Sequence, residues 1–248
     1  MNTIEIVFSP TGSTEKVAHI IGRQWSENTI KIDLSDPKAD FSGYTINEED
    51  RVLVAMPSFG GRAPAAAIER LRKIAGNGGK CTLVCVYGNR AYEDTLAEME
   101  DAAKECGFRV VAAVAAVAQH SILPQYAAGR PDAFDKKQLE QFAEQIAGKT
   151  EAVVSIPGNR PYKKAGGAGL VPKVGKSCTK CGLCAESCPV QAIDAERFKA
   201  DSKKCISCMR CVKQCPEKAR KVNGAMVSIA AMAIKKDCSV RKENELYI

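Results

Sequence analysis

Histidine and aromatic residues are scarce in this chain of 248 residues, which has two His, one Trp and an aromatic fraction of 6 %. Chemistry built on imidazole ligands or bases therefore has little material, and His19 and His120 read first as ordinary solvated side chains. Long apolar runs are missing as well. The longest, Val110 to Ala118 and Ala225 to Ile234, are too short to cross a bilayer, so we expect no membrane insertion. No basic, then apolar, then small-residue leader opens the chain, and we expect no signal peptide and a reducing cytoplasm. Nucleotide fingerprints are absent too. There is no G-x-x-x-x-G-K-S/T loop and no G-x-G-x-x-G behind a strand, and Gly166-Gly167-Ala168-Gly169 follows no strand either. Direct oxidation of a nicotinamide is disfavoured on the same ground.

Cysteine, by contrast, is abundant: there are twelve. Eight fall in two copies of one pattern, C-x2-C-x2-C-x3-C-P, as Cys178, Cys181, Cys184 and Cys188-Pro189, then Cys205, Cys208, Cys211 and Cys215-Pro216. Zinc also accepts C-x2-C pairs, but four sulfurs complete a zinc site and leave the third evenly spaced cysteine and the repeated Cys-Pro without a reason. The spacing is that of bacterial 4Fe-4S proteins. Over roughly residues 176 to 222 the chain closely resembles two-cluster ferredoxins. That resemblance implies two 4Fe-4S clusters, one on Cys178, Cys181, Cys184 and Cys215, the other on Cys205, Cys208, Cys211 and Cys188, so that the fourth cysteine of each run crosses to the other site. The proline after it turns the chain out of any helix. The remaining four, Cys81, Cys85, Cys106 and Cys238, read as packing or idle thiols.

Upstream, Met1 to Phe8 reads as a buried strand, followed by Ser9-Pro10-Thr11-Gly12-Ser13-Thr14 and a helical segment from about Glu15 to Trp25. Strand, hydroxyl-rich turn and helix start place hydroxyls and free N–H groups around an anion; a helix-capping turn without a ligand uses the same residues. Thr29–Leu34, Arg51–Met56, Lys80–Val86 and Phe108–Ala118 read as further strands. Helical patterns lie between them, with Ile68, Leu71 and Ile74 on one and another ending near Cys106, and a last helix covers Phe134–Ala147. The Ala/Val-rich Phe108–Ala118 run also suits a helix, and length and β-branching favour strand only narrowly. Alternating strands and helices predict a parallel doubly wound sheet, with ligands at the strand carboxyl ends.

The Ser-x-Thr-Gly-x-Thr turn resembles the phosphate loop of flavodoxins, and the later turns keep that family's order. The resemblance implies an α/β flavodoxin-like sheet of order 2-1-3-4-5 and bound FMN. Ser9, Thr11, Gly12, Ser13 and Thr14 would hold the phosphate. Pro57, Ser58, Phe59, Gly60 and Gly61 would line one side of the isoalloxazine, and Gly88, Asn89, Arg90 and Tyr92 the other. Free flavodoxins are acidic around the ring, whereas Arg62 and Arg90 lie in these loops with Lys163 and Lys164 nearby, which predicts a less negative potential for the reduced flavin.

The organisation expected is therefore a flavodoxin-like FMN domain over 1–150, a Gly/Pro/Lys-rich linker over 151–175, a small α+β two-cluster ferredoxin domain over 176–222, and a helix and tail over 223–248 whose apolar Leu246-Tyr247-Ile248 docks back on the body. As a whole the chain resembles the ferredoxin/flavodoxin fusion proteins of anaerobic bacteria and archaea. That implies an iron-sulfur flavoprotein carrying electrons between its clusters and FMN, with ferredoxins or other oxidoreductases as redox partners. The competing reading is an oxidoreductase that reduces a quinone, nitro compound or similar acceptor in a pocket of Phe59, Arg62, Tyr92 and His120. A redox sensor with structural clusters is a third. The formal charge of +7 is read as compensation for the cofactors, each cube with its thiolates carrying about −2 and the FMN phosphate about −2, rather than as a nucleic-acid footprint. A basic face for an acidic partner is the other use of that charge.

Overall fold

In a computed structural model the protein is described over residues 2–153, 155–166 and 169–248. Met1, Val154, Gly167 and Ala168, which belong to the expected first strand and interdomain stretch, lie outside the described residues. The first strand, β1 (Thr3–Val7), leads into α1 (Ser13–Gly22), and then come β2 (Thr29–Asp33) and β3 (Arg51–Pro57). No helix stands between β2 and β3 among the described residues. That connection is held instead by aspartate-capped turns, where Asp36 Oδ1 accepts from Lys38 N–H at 2.8 Å and Asp40 Oδ1 from Ser42 N–H at 3.0 Å. The order continues with α2 (Ala65–Leu71), β4 (Lys80–Tyr87), α3 (Thr95–Glu105), β5 (Arg109–Val117) and α4 (Ala133–Ala147). Strands β1 to β5 pair in parallel in the order 2-1-3-4-5, as expected.

Both faces of this sheet are covered, which is why its strands are apolar at nearly every position. Ile4, Ile6, Val52, Val54, Met56, Leu83 and Cys85 point to one face, under α2 and α3. Val7, Leu53, Ala55, Val84 and Val86 point to the other, under α1 and α4. The same two-sided burial decides β5: its alanines leave room for helices packed close on either side, so the ambiguous run is extended.

The docking of the carboxyl terminus goes further than its sequence shows. Residues beyond the cysteine-rich segment form α7 (Gly224–Cys238) and then β8 (Glu245–Tyr247), which pairs antiparallel with β5 as a sixth strand. Leu246 packs on one sheet face and Tyr247 on the other. Asn244, 4 % exposed, anchors this strap. It accepts from Val117 N–H at 2.8 Å and donates to Gln138 at 2.8 Å and to Asp135. Asp135 is buried and paired to Arg130 (Nε to Oδ2, 2.9 Å), whose Nη1 donates to Lys242 O at 2.7 Å. Asn244→Ala leaves the Val117 N–H and part of a buried carboxylate without partners. It should cost about 1–3 kcal/mol in denaturant unfolding, whereas the exposed Glu243→Ala should cost under about 0.5 kcal/mol.

The stretch expected as a linker is tethered rather than loose. Asp94 accepts from the N–H groups of Asn159 and Lys163 at 2.8 and 2.7 Å, Arg160 pairs with Glu100 and Asp101, and Ile156 enters the core. Downstream, β6 (Lys173–Val174), α5 (Leu183–Glu186), α6 (Arg210–Gln214) and β7 (Arg220–Lys221) form a small unit in which β6 and β7 pair antiparallel.

Candidate functional site

The internal repeat in the cysteines is a repeat in backbone conformation. The residue before the second cysteine of each run is left-handed (Lys180 at φ 60°, Ser207 at 51°), as is the one after it (Gly182 at 82°, Met209 at 64°) and the third after the Cys-Pro cysteine (Gln191 at 46°, Lys218 at 48°). These positions curl each run so that backbone N–H groups face sulfur. Cys178, Cys188, Cys205 and Cys215 Sγ each accept from an N–H at 3.3 to 3.5 Å. N–H groups aimed at sulfur are the donors that cluster-bound thiolates accept.

The eight thiols surround two cavities. The first is lined by Cys178, Cys181, Cys184 and Cys215, and the second by Cys188, Cys205, Cys208 and Cys211. The fourth cysteine of each run thus lines the cavity of the other run. Among the described residues no three His, Cys, Asp or Glu side chains converge closely enough to hold a single metal ion.

Two arginines test that fit. Arg220, 2 % exposed, lines the first cavity and sends Nη1 toward Cys184 Sγ at 3.8 Å and to Phe198 O at 2.8 Å, while its Nε has no partner. Arg210 lines the second, with Nε and Nη1 buried and unpartnered. Among the described residues neither has a carboxylate partner. A buried guanidinium without a counter-ion is costly, and an anionic iron-sulfur group between four thiolates supplies the missing charge.

The phosphate-type loop lies at the carboxyl end of β1. Gly12 is left-handed (φ 83°), a conformation open to glycine without strain, and starts α1. Ser9 Oγ accepts from Glu15 N–H at 3.0 Å, which folds the loop over the helix end, whose leading N–H groups have no intrahelical partner. One residue here was not foreseen: Lys213, on α6 between two cluster-cavity cysteines, reaches across and donates from Nζ to Thr11 O at 2.5 Å. No periodicity or spacing in the sequence links positions 11 and 213.

The other two loops stand at the ends of β3 and β4. Gly61 and Gly88 admit close neighbours: a Cβ on Gly61 would meet Glu93, and one on Gly88 would meet His120. Ser58 Oγ receives Thr95 Oγ1 at 2.8 Å, Phe59 packs partly against the core, and Tyr92 packs edge-on to Tyr87 and shares its hydroxyl with Tyr247 and Glu245. Asn89 is turned away from this space, since its amide donates to Cys238 O and Val240 O and its carbonyl accepts from Lys242 N–H. Only its backbone remains for a ligand.

The positive charge expected at these loops is partly paired, while Lys164 is exposed and forms no ion pair among the described residues. Arg62 forms a two-bonded pair with Glu98 (2.8 Å each) over the Tyr162 ring, and Arg90 and Lys163 share Glu93. His120 is packed rather than solvated: Nδ1 accepts from the N–H groups of Ile122 and Leu123, and burial, then Arg90, hold its pKa below the ordinary value. Cys81, Cys85 and Cys238 are buried, and burial pushes the half-buried Cys106 thiol up to about 11, so none of the four is a ready nucleophile.

Comparison with known proteins matches the model of the 4Fe-4S dicluster domain to residues 177–219. Residues 177–219 are thus a dicluster domain, which implies two 4Fe-4S clusters, and the sheet ahead of it is flavodoxin-like in strand order. Together the two suggest electron transfer. Solved structures similar to the chain include a flavodoxin of Streptococcus pneumoniae TIGR4 (22 % identity, 58 % of this chain and 97 % of that one, TM-score 0.43). The flavodoxin of Megasphaera elsdenii (16 %, 58 % and 98 %, 0.40) and that of Fusobacterium nucleatum bound to flavin mononucleotide (16 %, 59 % and 98 %, 0.42) are others. No curated protein matches the chain. No helix among the described residues is long and apolar enough to cross a membrane.

Proposed function

We propose that the protein is an electron carrier in which FMN, held by the three loops at the ends of β1, β3 and β4, exchanges electrons with two 4Fe-4S clusters and, through them, with partner oxidoreductases. Cys178, Cys181, Cys184 and Cys215 hold one cluster, and Cys188, Cys205, Cys208 and Cys211 the other. Ser9, Thr11, Gly12, Ser13 and Thr14 offer hydroxyls and N–H groups to the FMN phosphate, with Lys213 adding a cation. Pro57 to Gly61 and Gly88 to Tyr92 flank the ring. FMN supplies a centre that takes one or two electrons beside clusters that take one.

The observation that carries this reading is how the cysteine-rich unit sits on the sheet domain. Arg70 Nη2 donates to Pro189 O at 2.6 Å, Ile206 packs against the sheet-domain core, Lys38 pairs with Glu186, and Lys213 reaches the β1 loop. Pro189 and Ile206 line the second cysteine cavity, so that cavity is apposed to the domain that would hold the flavin.

A carrier is favoured over a reductase because the side chains that would receive an acceptor are engaged: Arg62 with Glu98, the Tyr92 hydroxyl with Glu245 and Tyr247, and His120 Nδ1 with backbone N–H groups. Protein purified without air and supplied with iron, sulfide and FMN should retain two clusters and one flavin per chain. Its flavin absorbance should bleach when the clusters are reduced by a one-electron donor. Protein that retains no flavin, or whose flavin stays oxidised beside reduced clusters of lower potential, refutes the proposal.

A further inference from the structure

The two cysteine cavities face different ways. The second is turned toward the sheet domain through Pro189 and Ile206, whereas among the described residues nothing lining the first is hydrogen-bonded or ion-paired to residues 2–150. The first opens outward: Cys181 is exposed, and Leu183, at its mouth, is 41 % exposed.

The segments that make its rim are basic. Lys180 sits between the lining residues Thr179 and Cys181, Lys218 follows the lining residue Glu217, and Lys176 stands two residues before Cys178. Lys173 and Lys221 oppose each other in the β6–β7 pair that joins these segments. All five are exposed, and among the described residues none forms an ion pair. The carboxylates in these segments are Glu217 and Glu186, the second of them paired with Lys38. Residues 194–204, which run from the first cavity at Phe198 to the second at Ala200 and Cys205, instead alternate Arg197, Lys199, Lys203 and Lys204 with Asp194, Glu196 and Asp201. Positive charge thus runs through the whole cysteine-rich unit, and the lysines of the outward rim are the ones exposed without an ion pair beside an open cavity.

We propose that this rim docks an acidic one-electron carrier protein, that electrons enter at the first cavity, and that the second relays them toward the flavin domain. The proposal rests on the electron-transfer role above. An exposed apolar residue, Leu183, at a cavity whose flanking segments carry exposed lysines suits a charge-steered protein interface, in which the cations raise the encounter rate and the apolar contact holds the complex. A nucleic acid is the poorer occupant. The rim cations are all lysines, without the planar fork of arginine, and the one aromatic at the cavity, Phe198, is buried and cannot offer a stacking surface. Each docking oxidises the carrier by one electron and reduces the cysteine-held centre by one. No bond is made or broken and no proton is transferred in that step, and two dockings provide the pair that full reduction of a flavin consumes.

The test mixes cluster-loaded protein with a reduced acidic ferredoxin in a stopped-flow instrument and follows cluster bleaching, in flavin-loaded and flavin-free samples alike. Failure of the flavin assignment therefore leaves this readout intact. The rate should fall about tenfold or more between low and high salt. The double variant Lys180→Glu/Lys218→Glu, with iron content unchanged, should fall about tenfold or more at low salt while its reduction by dithionite stays at the wild-type rate. Lys203→Glu/Lys204→Glu serves as the control and should change the ferredoxin rate less than twofold. A salt-independent rate, an equal loss in the control, or a DNA oligonucleotide that competes with the ferredoxin at lower concentration than an acidic protein does would each overturn the proposal.

Discussion

Cys188→Ala is expected to lose the cluster of Cys205, Cys208 and Cys211, not that of its own neighbours Cys178, Cys181 and Cys184. Cys188 lines the second cavity although it belongs to the first run, and Cys215 does the reverse. Removing one thiolate destabilises the cluster on its open iron, and its loss leaves Arg210, half-buried with Nε and Nη1 unpartnered, without an anion. Iron should fall to about half of the wild-type content. Double variants separate this arrangement from two sequence-local sites. Cys188→Ala combined with Cys208→Ala should lose no more iron than either change alone, whereas Cys188→Ala with Cys181→Ala should lose nearly all. If the second pair proves equivalent to its single variants, the crossing is wrong. Because the second cavity is the one against the sheet domain, Cys188→Ala should also slow flavin reduction through the remaining cluster.

The second large effect is expected at Lys213. Its ammonium is 2.5 Å from Thr11 O, and a Cβ on Gly12 would stand 4.0 Å from it, so an anion entering the loop meets a cation delivered by the cysteine-rich unit. A charge-assisted hydrogen bond of this kind is worth about 1.5–3 kcal/mol, roughly ten- to a hundredfold in affinity. Lys213→Gln should weaken FMN binding by about that factor, and Lys213→Glu by more. Riboflavin, which lacks the phosphate, should bind all three proteins alike. Equal losses for FMN and riboflavin would mean that the lysine supports the interface rather than the phosphate. Lys213 lies between Cys211 and Cys215, whose cavities differ, so stripping the iron should loosen α6 and weaken FMN binding as well. Fluorescence titration of the iron-free protein measures that coupling.

Residue chemistry made much of this readable in advance. Two intact C-x2-C-x2-C-x3-C-P runs specify cluster chemistry because a cubane demands thiolates at short, repeated spacings. The alternation of Ile6, Val52, Val54 and their neighbours shows a two-sided sheet because strand side chains change face at every residue. Glycines at 12, 61 and 88 mark turns at the strand ends. These are local constraints, written within a few positions of one another. Arg62 and Arg90 show the limit of such reading, because each looked like free positive charge and is neutralised by a carboxylate, one of them 36 residues away.

By itself the sequence determined the cysteine pattern, the parallel character of the sheet and the places where its strands end in loops. Only the tertiary structure decided which unit closes on which: that Asn89 is held by the carboxyl-terminal strap, that β8 covers the edge of β5, that Lys213 reaches the β1 loop and that one cysteine cavity faces inward and the other out. The reason is physical. Spacing encodes what neighbours along a chain can bind, while contacts between distant segments follow from which surfaces remain apolar or unpaired once each unit has folded, and that remainder leaves no periodic trace.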